Sequence, residues 1–281
     1  MMEALYAAMD ILLPLEALRF GFMKNAFLAV ILLTPLLGLL GTMAVNKQMA
    51  FFSDALGHSA LTGIGLGILL GVSNDLVSML VFGILWAVLI SVIRHTGAAS
   101  ADTVISVFSS TSIALGLVIL SRGGGFAKYS SLLIGDVLAV TTGDLLGLLL
   151  ALLLGIALWM VMYNGLLLTS INAPLARSRG VHIRLCETAF VVLVAVAVML
   201  SIRWVGVMLI NALLILPAAA ARNVATSSRQ HAAYSVVIAL GCGVAGLLSA
   251  YSWDTSAGAA IVIYAALCYA LSLGIKALMK N

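Results

Sequence analysis

The chain has 281 residues, 63% of them hydrophobic, and Asp, Glu, Lys and Arg make up only 9%, against about a quarter in a soluble domain. Together with a mean hydropathy of +1.21, this excludes a soluble globular protein, a disordered chain and a fibrous one. The 26 glycines beside 4 prolines fit helices packing through small residues in a bilayer.

Residues 1 to 20 carry Glu3, Asp10, Glu16 and Arg19 and read as a surface helix or a partial crossing. With no basic leader and no small-residue cleavage pattern, no removable signal peptide is expected. A hydrocarbon core of about 30 Å takes about 20 apolar residues to cross, so the gaps between charges mark the spans. In order they are 25–46, 50–71, 76–93, 103–121, 145–168, 188–202, 204–221, 232–253 and 255–275. The expected fold is all-α: one transmembrane domain over residues 1–281, with about eight to ten helices. Cys186, Cys242 and Cys268 lie far apart in apolar runs, which predicts inert core residues rather than disulfides or a zinc knuckle.

Nine crossings put the termini on opposite sides, and the Lys and Arg bias orients them. One face collects Lys47, Arg94, Arg177, Arg179, Arg184, Arg222, Arg229, Lys276 and Lys280 against Asp102 and Glu187, a net +7. The other has Arg19, Lys24, Arg122, Lys128 and Arg203 against Glu3, Asp10, Glu16, Asp75, Asp136, Asp144 and Asp254, a net −2. The first face is predicted to be cytoplasmic.

The span 50–71 differs from the rest because it contains Asp54 and His58. A charge at mid-bilayer costs at least about 2.5–3.5 kcal/mol, so such groups face water or a partner. Spaced i, i+4, they share one helix face about 5–6 Å apart, close enough to hold one cation or to pair with each other. Thr62 extends that polar stripe, while Ser59, Gly63, Gly67 and Gly71 form a second, small-residue stripe for helix packing. Two ligands complete no metal shell, so others must come from other helices or a second copy. Asn211 is the best polar candidate, either as a ligand or as interhelical glue.

Ser109, Ser110, Thr111 and Ser112 cannot share one face and are expected to bond local backbone carbonyls. His95, His182 and His231 fall at span ends and read as solvated loop residues. The polar connection 170–181 predicts a short helix begun near Pro174 and ended at Gly180. Such a helix is either a platform for a soluble motor or a plain basic loop. No GxxxxGK[ST] loop, nucleophile elbow or HExxH helix is present, so this chain is not expected to hydrolyse ATP or act as an enzyme.

Four stretches carry a family resemblance: Phe52-Ser53-Asp54-Ala55-Leu56-Gly57-His58-Ser59-Ala60; Ile134 to Val140 with Asp144; Leu175-Ala176-Arg177-Ser178-Arg179-Gly180; and Val205 to Leu209 leading to Ala212 through Arg222. The chain resembles the membrane permease subunit of zinc, manganese and iron importers of the ATP-binding-cassette class, with a type II importer-like transmembrane domain. The resemblance implies a homodimer in the prokaryotic cytoplasmic membrane, bound to cytoplasmic ATPase subunits and an extracytoplasmic metal-binding protein. It implies no permanently bound cofactor and no nucleic-acid partner. Asp54 and His58 match the family's metal-coordinating positions, Asp136 an outer-gate helix, and Leu175, Ala176, Arg177, Arg179 and Gly180 the coupling helix. Oxygen plus imidazole ligands suit Zn²⁺, Mn²⁺ or Fe²⁺. The rivals are an importer of a cobalamin or siderophore chelate and a solitary proton-coupled transporter.

Overall fold

The computed structural model describes residues 6, 9, 16–97, 99–122, 135 and 137–280, with the backbone alone at 203–205, 208, 209 and 280. Its helices are α1 Gly21–Asn46, α2 Phe52–Leu69, α3 Asp75–His95, α4 Ala101–Arg122, α5 Thr142–Ile171, α6 Ala173–Ser178, α7 Ile183–Val205, α8 Val207–Val224, α9 Ser228–Trp253 and α10 Ala257–Lys280. Single 3₁₀ turns cover Glu16–Arg19 and Val137–Ala139. All nine expected spans fall on helices, and no strand occurs among the described residues.

Seven of these helices, α1, α3, α4, α5, α7, α9 and α10, are long and apolar enough to cross a bilayer. The other two long helices, α2 and α8, pack against each other inside the bundle. Helix α2 is diluted by Asp54, His58 and four glycines. Around this centre, α1 packs on α5, α8 and α9, while α2 packs on α3, α4, α7 and α8. The outer faces of α5 and α10 expose Leu150, Leu154, Val161, Leu267 and Leu271, as helices bordered by lipid do.

Local sequence sets the helix ends. Asn74 accepts from the Leu76 and Val77 amides, and Thr141 with Asp144 forms a capping box on α5, each supplying donors or acceptors that the first turn lacks. Gly71, expected in the packing stripe, has open space around it and φ +73°. It ends α2 as a Schellman motif, with Val72 N donating to Gly67 O at 2.9 Å and Gly71 N to Ile68 O at 3.2 Å. The rest of the stripe packs as expected, with Ser59 fully buried and a Cβ on Gly63 lying 3.0 Å from Phe82 of α3.

Side-chain contacts gather Lys47, Glu187, Arg222 and Lys276, all of the group predicted to be cytoplasmic, at one end. There Lys47 meets Glu187, Arg222 Nη1 donates to Val45 O at 3.3 Å and Lys276 Nζ to Asn223 Oδ1 at 3.0 Å. At the other, Asn25 Nδ2 donates to Val140 O at 3.1 Å and Phe20 meets Tyr251 with ring centroids 6.3 Å apart. Ahead of α1, Ala17 and Leu18 are buried, so the last part of the segment expected as a surface helix or a partial crossing is tucked into the bundle.

Close helix approach depends on glycine. A Cβ on Gly41 of α1 would lie 1.9 Å from Leu214 O of α8, whereas nothing lies within 4 Å of one on Gly241 of α9. Gly41→Ala is therefore expected to cost about 1–3 kcal/mol or more through overpacking. Gly241→Ala is expected to be neutral or to gain up to about 1 kcal/mol from helix propensity. Thermal unfolding of the two variants in detergent checks the contrast; equal midpoints would contradict the α1–α8 contact.

Candidate metal centre and coupling helix

Helix α2 is held on three sides. Gly63 and Gly67 let α3 approach, Thr62 and Gly65 meet α4, and Gly57 lies against Val207 at the start of α8. From Phe52 through Gly65 every residue is buried except Asp54 and His58. Over this stretch of α2, the strip left partly uncovered by the described residues is thus the one bearing a carboxylate and an imidazole.

His58 Nε2 lies 3.6 Å from Asp54 Oδ1, with side-chain exposures of 19% and 34%. That separation is beyond hydrogen-bonding distance, so the two groups face the same space without closing on each other. An ion about 2.1 Å from each atom would subtend an angle of about 120° there, near the tetrahedral value. Among the described residues no group of three His, Cys, Asp or Glu side chains comes together, so one chain supplies only part of a coordination shell.

Asn211 of α8 comes to the same turn. Its Oδ1 accepts from Ser53 Oγ at 2.6 Å, so it is an interhelical polar contact next to Asp54. Ser53 escaped sequence reasoning because a serine beside a charged residue in a helix carries no distinguishing pattern. Thr62 does not extend the Asp54–His58 stripe; it is fully buried and donates to Ser112 O of α4 at 2.5 Å, with its hydroxyl 3.3 Å from that of Ser112. Ser112 therefore bonds across helices rather than locally. Asp136 lies outside the described residues.

The connection after α5 forms the expected short helix. Asn172 ends α5 and caps α6, its Oδ1 accepting from Leu175 N at 3.0 Å. Gly180, at φ +75°, closes α6 as a Schellman motif, with Val181 N donating to Ala176 O and Gly180 N to Arg177 O, both at 3.0 Å. Ala176 is fully buried against the bundle, while Pro174, Leu175, Arg177, Ser178 and Arg179 are exposed. The helix thus offers a mixed apolar and basic outer face on a rigid mount.

Two histidines depart from expectation. His95 puts Nε2 2.7 Å from Glu187 Oε2, and His231 is buried with Nε2 2.9 Å from Ala218 O; only His182 is exposed. Cys242 and Cys268, distant in sequence, bring their thiols to 3.5 Å across α9 and α10. All three cysteines are free.

Residues 19–276 match the ABC 3 transport family. The chain is 30% identical over 253 residues to the manganese import system permease protein ScaB of Streptococcus gordonii, covering 90% of this chain and 91% of that one. It is 29% identical over 255 residues to the high-affinity zinc uptake system membrane protein ZnuB of Haemophilus influenzae, covering 90% and 97%. The structure of PsaBC from Streptococcus pneumoniae in complex with Fab contains a similar chain, with a TM-score of 0.79 and 27% identity over 96% of this chain and 95% of that one. With its apolar helices and this agreement along nearly its whole length, the chain is a multi-pass protein of the prokaryotic cytoplasmic membrane that belongs to the ABC 3 transport family.

Proposed function

We propose that the chain is the membrane permease subunit of an ATP-binding-cassette importer for a divalent transition metal ion, Zn²⁺ or Mn²⁺, with Fe²⁺ within reach of the same donors. The observation that carries this reading is the uncovered strip of α2, where the only unburied residues between Phe52 and Gly65 are Asp54 and His58. A carboxylate oxygen and an imidazole nitrogen are the mixed donor set that Zn²⁺, Mn²⁺ and Fe²⁺ accept. The zinc and manganese systems named for the relatives support the same cargo.

Because one chain provides two ligands, a second copy facing the first across a twofold axis completes a four-ligand site in the homodimer. Such a site holds its ion only while the two α2 strips face each other. Separating them releases the ion, which is how a path binds tightly enough to load and loosely enough to deliver. ATP is hydrolysed by a separate cytoplasmic subunit docked on α6, and an extracytoplasmic binding protein hands the ion to the opposite end.

The test is uptake by the complete complex in proteoliposomes, with Zn²⁺, Mn²⁺ and Fe²⁺ competing. Saturable, ATP-dependent uptake of the bare ion is expected, with the ATPase subunit copurifying. Uptake driven by a proton gradient in the absence of any ATPase would replace this reading with a solitary transporter. Transport of an intact chelate but no free ion, read by elemental analysis, would replace it with a chelate importer.

A further inference from the structure

Lys47 follows the last residue of α1, and its side chain is only 6% exposed. Its Nζ donates to Glu187 Oε1 at 2.7 Å and to Thr169 Oγ1 at 3.1 Å. Thr169 lies in the last turn of α5, three residues before Asn172, and Glu187 lies near the start of α7, nine residues after Ser178. The two helices between which α6 hangs therefore grip the same ammonium group.

There is little slack between them and α6. Asn172 is at once the last cap of α5 and the first cap of α6, and His182 already stands at the N-cap position of α7. Displacement of α6 thus reaches Thr169 through the single residue Asn172 and the last turn of α5, and Glu187 through the four-residue turn 179–182 and the first turns of α7.

On its other side Lys47 leads into the turn that starts α2. Gln48 adopts a left-handed conformation, φ 55°, and Met49 N donates to Ala44 O at 2.9 Å, so this turn is a Schellman motif carried by a residue that pays strain for it. Met49 is 1% exposed and lies 3.0 Å from Arg94 Nη1 of α3. His95, at the end of the same helix, contacts the second oxygen of Glu187 at 2.7 Å. Six residues lie between Lys47 and Asp54, and α2 begins at Phe52.

We propose that Lys47 and Glu187 are positioning residues that pass displacement of the coupling helix α6 to the start of α2, and so set when Asp54 and His58 face the path. This rests on α6 as the ATPase dock and on Asp54 and His58 as the metal site. A pair this desolvated resists separation, because Lys47 without Glu187 is a buried charge left with only the neutral Thr169 hydroxyl, while Glu187 keeps His95. It therefore moves as a unit, carrying the α1–α2 turn with the ends of α5 and α7.

The experiment uses the complete complex with its ATPase and binding protein in proteoliposomes, reading ATPase copurification, ATP hydrolysis and metal ions moved per ATP. Glu187→Gln and Lys47→Met are expected to retain the ATPase and hydrolyse ATP within about twofold of the parent, while ions moved per ATP fall at least about tenfold. The exchange Lys47→Glu with Glu187→Lys is expected to recover at least half of the loss. Normal coupling in both single variants overturns the proposal, as does a loss of uptake strictly proportional to lost hydrolysis.

Should either single variant fail to assemble, Glu187→Asp keeps the charge and retracts it by one methylene. Unchanged ions per ATP in that variant would also overturn the proposal, whereas a fall of threefold or more supports it. Asp54→Asn run in parallel separates the two readings. Lost uptake there with normal coupling in the Glu187 variants refutes the linkage and keeps the metal site; normal uptake in Asp54→Asn refutes the metal site itself.

Discussion

Replacing Asp54 or His58 with Ala should lower ATP-driven metal uptake at least about tenfold, since even groups that merely orient a metal ligand are worth that much. The double variant should add little to the worse single one, because the two side chains serve one ion and their effects are not independent. Neither change should unfold the protein. These are the least buried residues from Phe52 to Gly65, and removing a carboxylate from a span relieves a cost of insertion rather than adding one.

Thr62→Val gives the contrasting result. Its hydroxyl is wholly buried and bonded to Ser112, so its loss removes one buried interhelical hydrogen bond at a cost of about 0.5–1.5 kcal/mol while metal affinity stays at the parent value. Uptake kinetics and thermal unfolding on the same preparations distinguish the two classes. A Thr62 variant with impaired metal affinity and unaltered stability would mean that the polar stripe runs further along α2 than the structure places it.

The outer face of α6 should behave as an interface. Leu175→Asp and Arg177→Glu place acid on an exposed surface, and each should weaken ATPase docking by about 2 kcal/mol, the scale of a hot-spot residue, or about thirtyfold in affinity. The membrane domain itself should remain folded, because both side chains point away from it. Ala176→Asp should instead destabilise the mount, since Ala176 has no exposed surface and an unpaired carboxylate there has no partner. Titration of purified ATPase subunit onto the permease measures the first effect and size-exclusion chromatography the second. Undiminished ATPase affinity in both exposed-face variants would remove α6 from the coupling role.

Much of the architecture was legible because hydrocarbon imposes one rule on every span. About 20 uncharged residues must separate consecutive charges; eight such gaps and the Asp54-bearing stretch 50–71 fall on nine helices, seven of them long and apolar enough to cross a bilayer. The short helix α6 was legible for a different reason. Proline near its start and glycine after its end act through backbone torsions that need no tertiary contact, and the Schellman closure at Gly180 forms where that pattern puts it.

Gly71 shows where such reading fails. Its spacing placed it on a packing face, yet α2 stops two residues earlier and the glycine serves the turn. Periodicity gives the direction of a side chain within a helix but not the residue at which the helix ends.

The amino-acid sequence by itself determined the all-helical class, the two charged ends, the i, i+4 pairing of Asp54 with His58 and the short helix before α7, since each follows from spacing along one chain. Only the tertiary structure decided which neighbours those residues meet: Thr62 turned into α4 rather than toward the path, Asn211 held by Ser53, His231 buried, and Lys47 enclosed by Thr169 and Glu187. Those contacts join residues far apart in the chain, and the rotation of each helix about its axis is set by how small residues such as Gly41, Gly57 and Gly63 let other helices close in. Burial of every other residue from Phe52 to Gly65 is what leaves a carboxylate and an imidazole as the partly uncovered strip there, and no count along the sequence contains that.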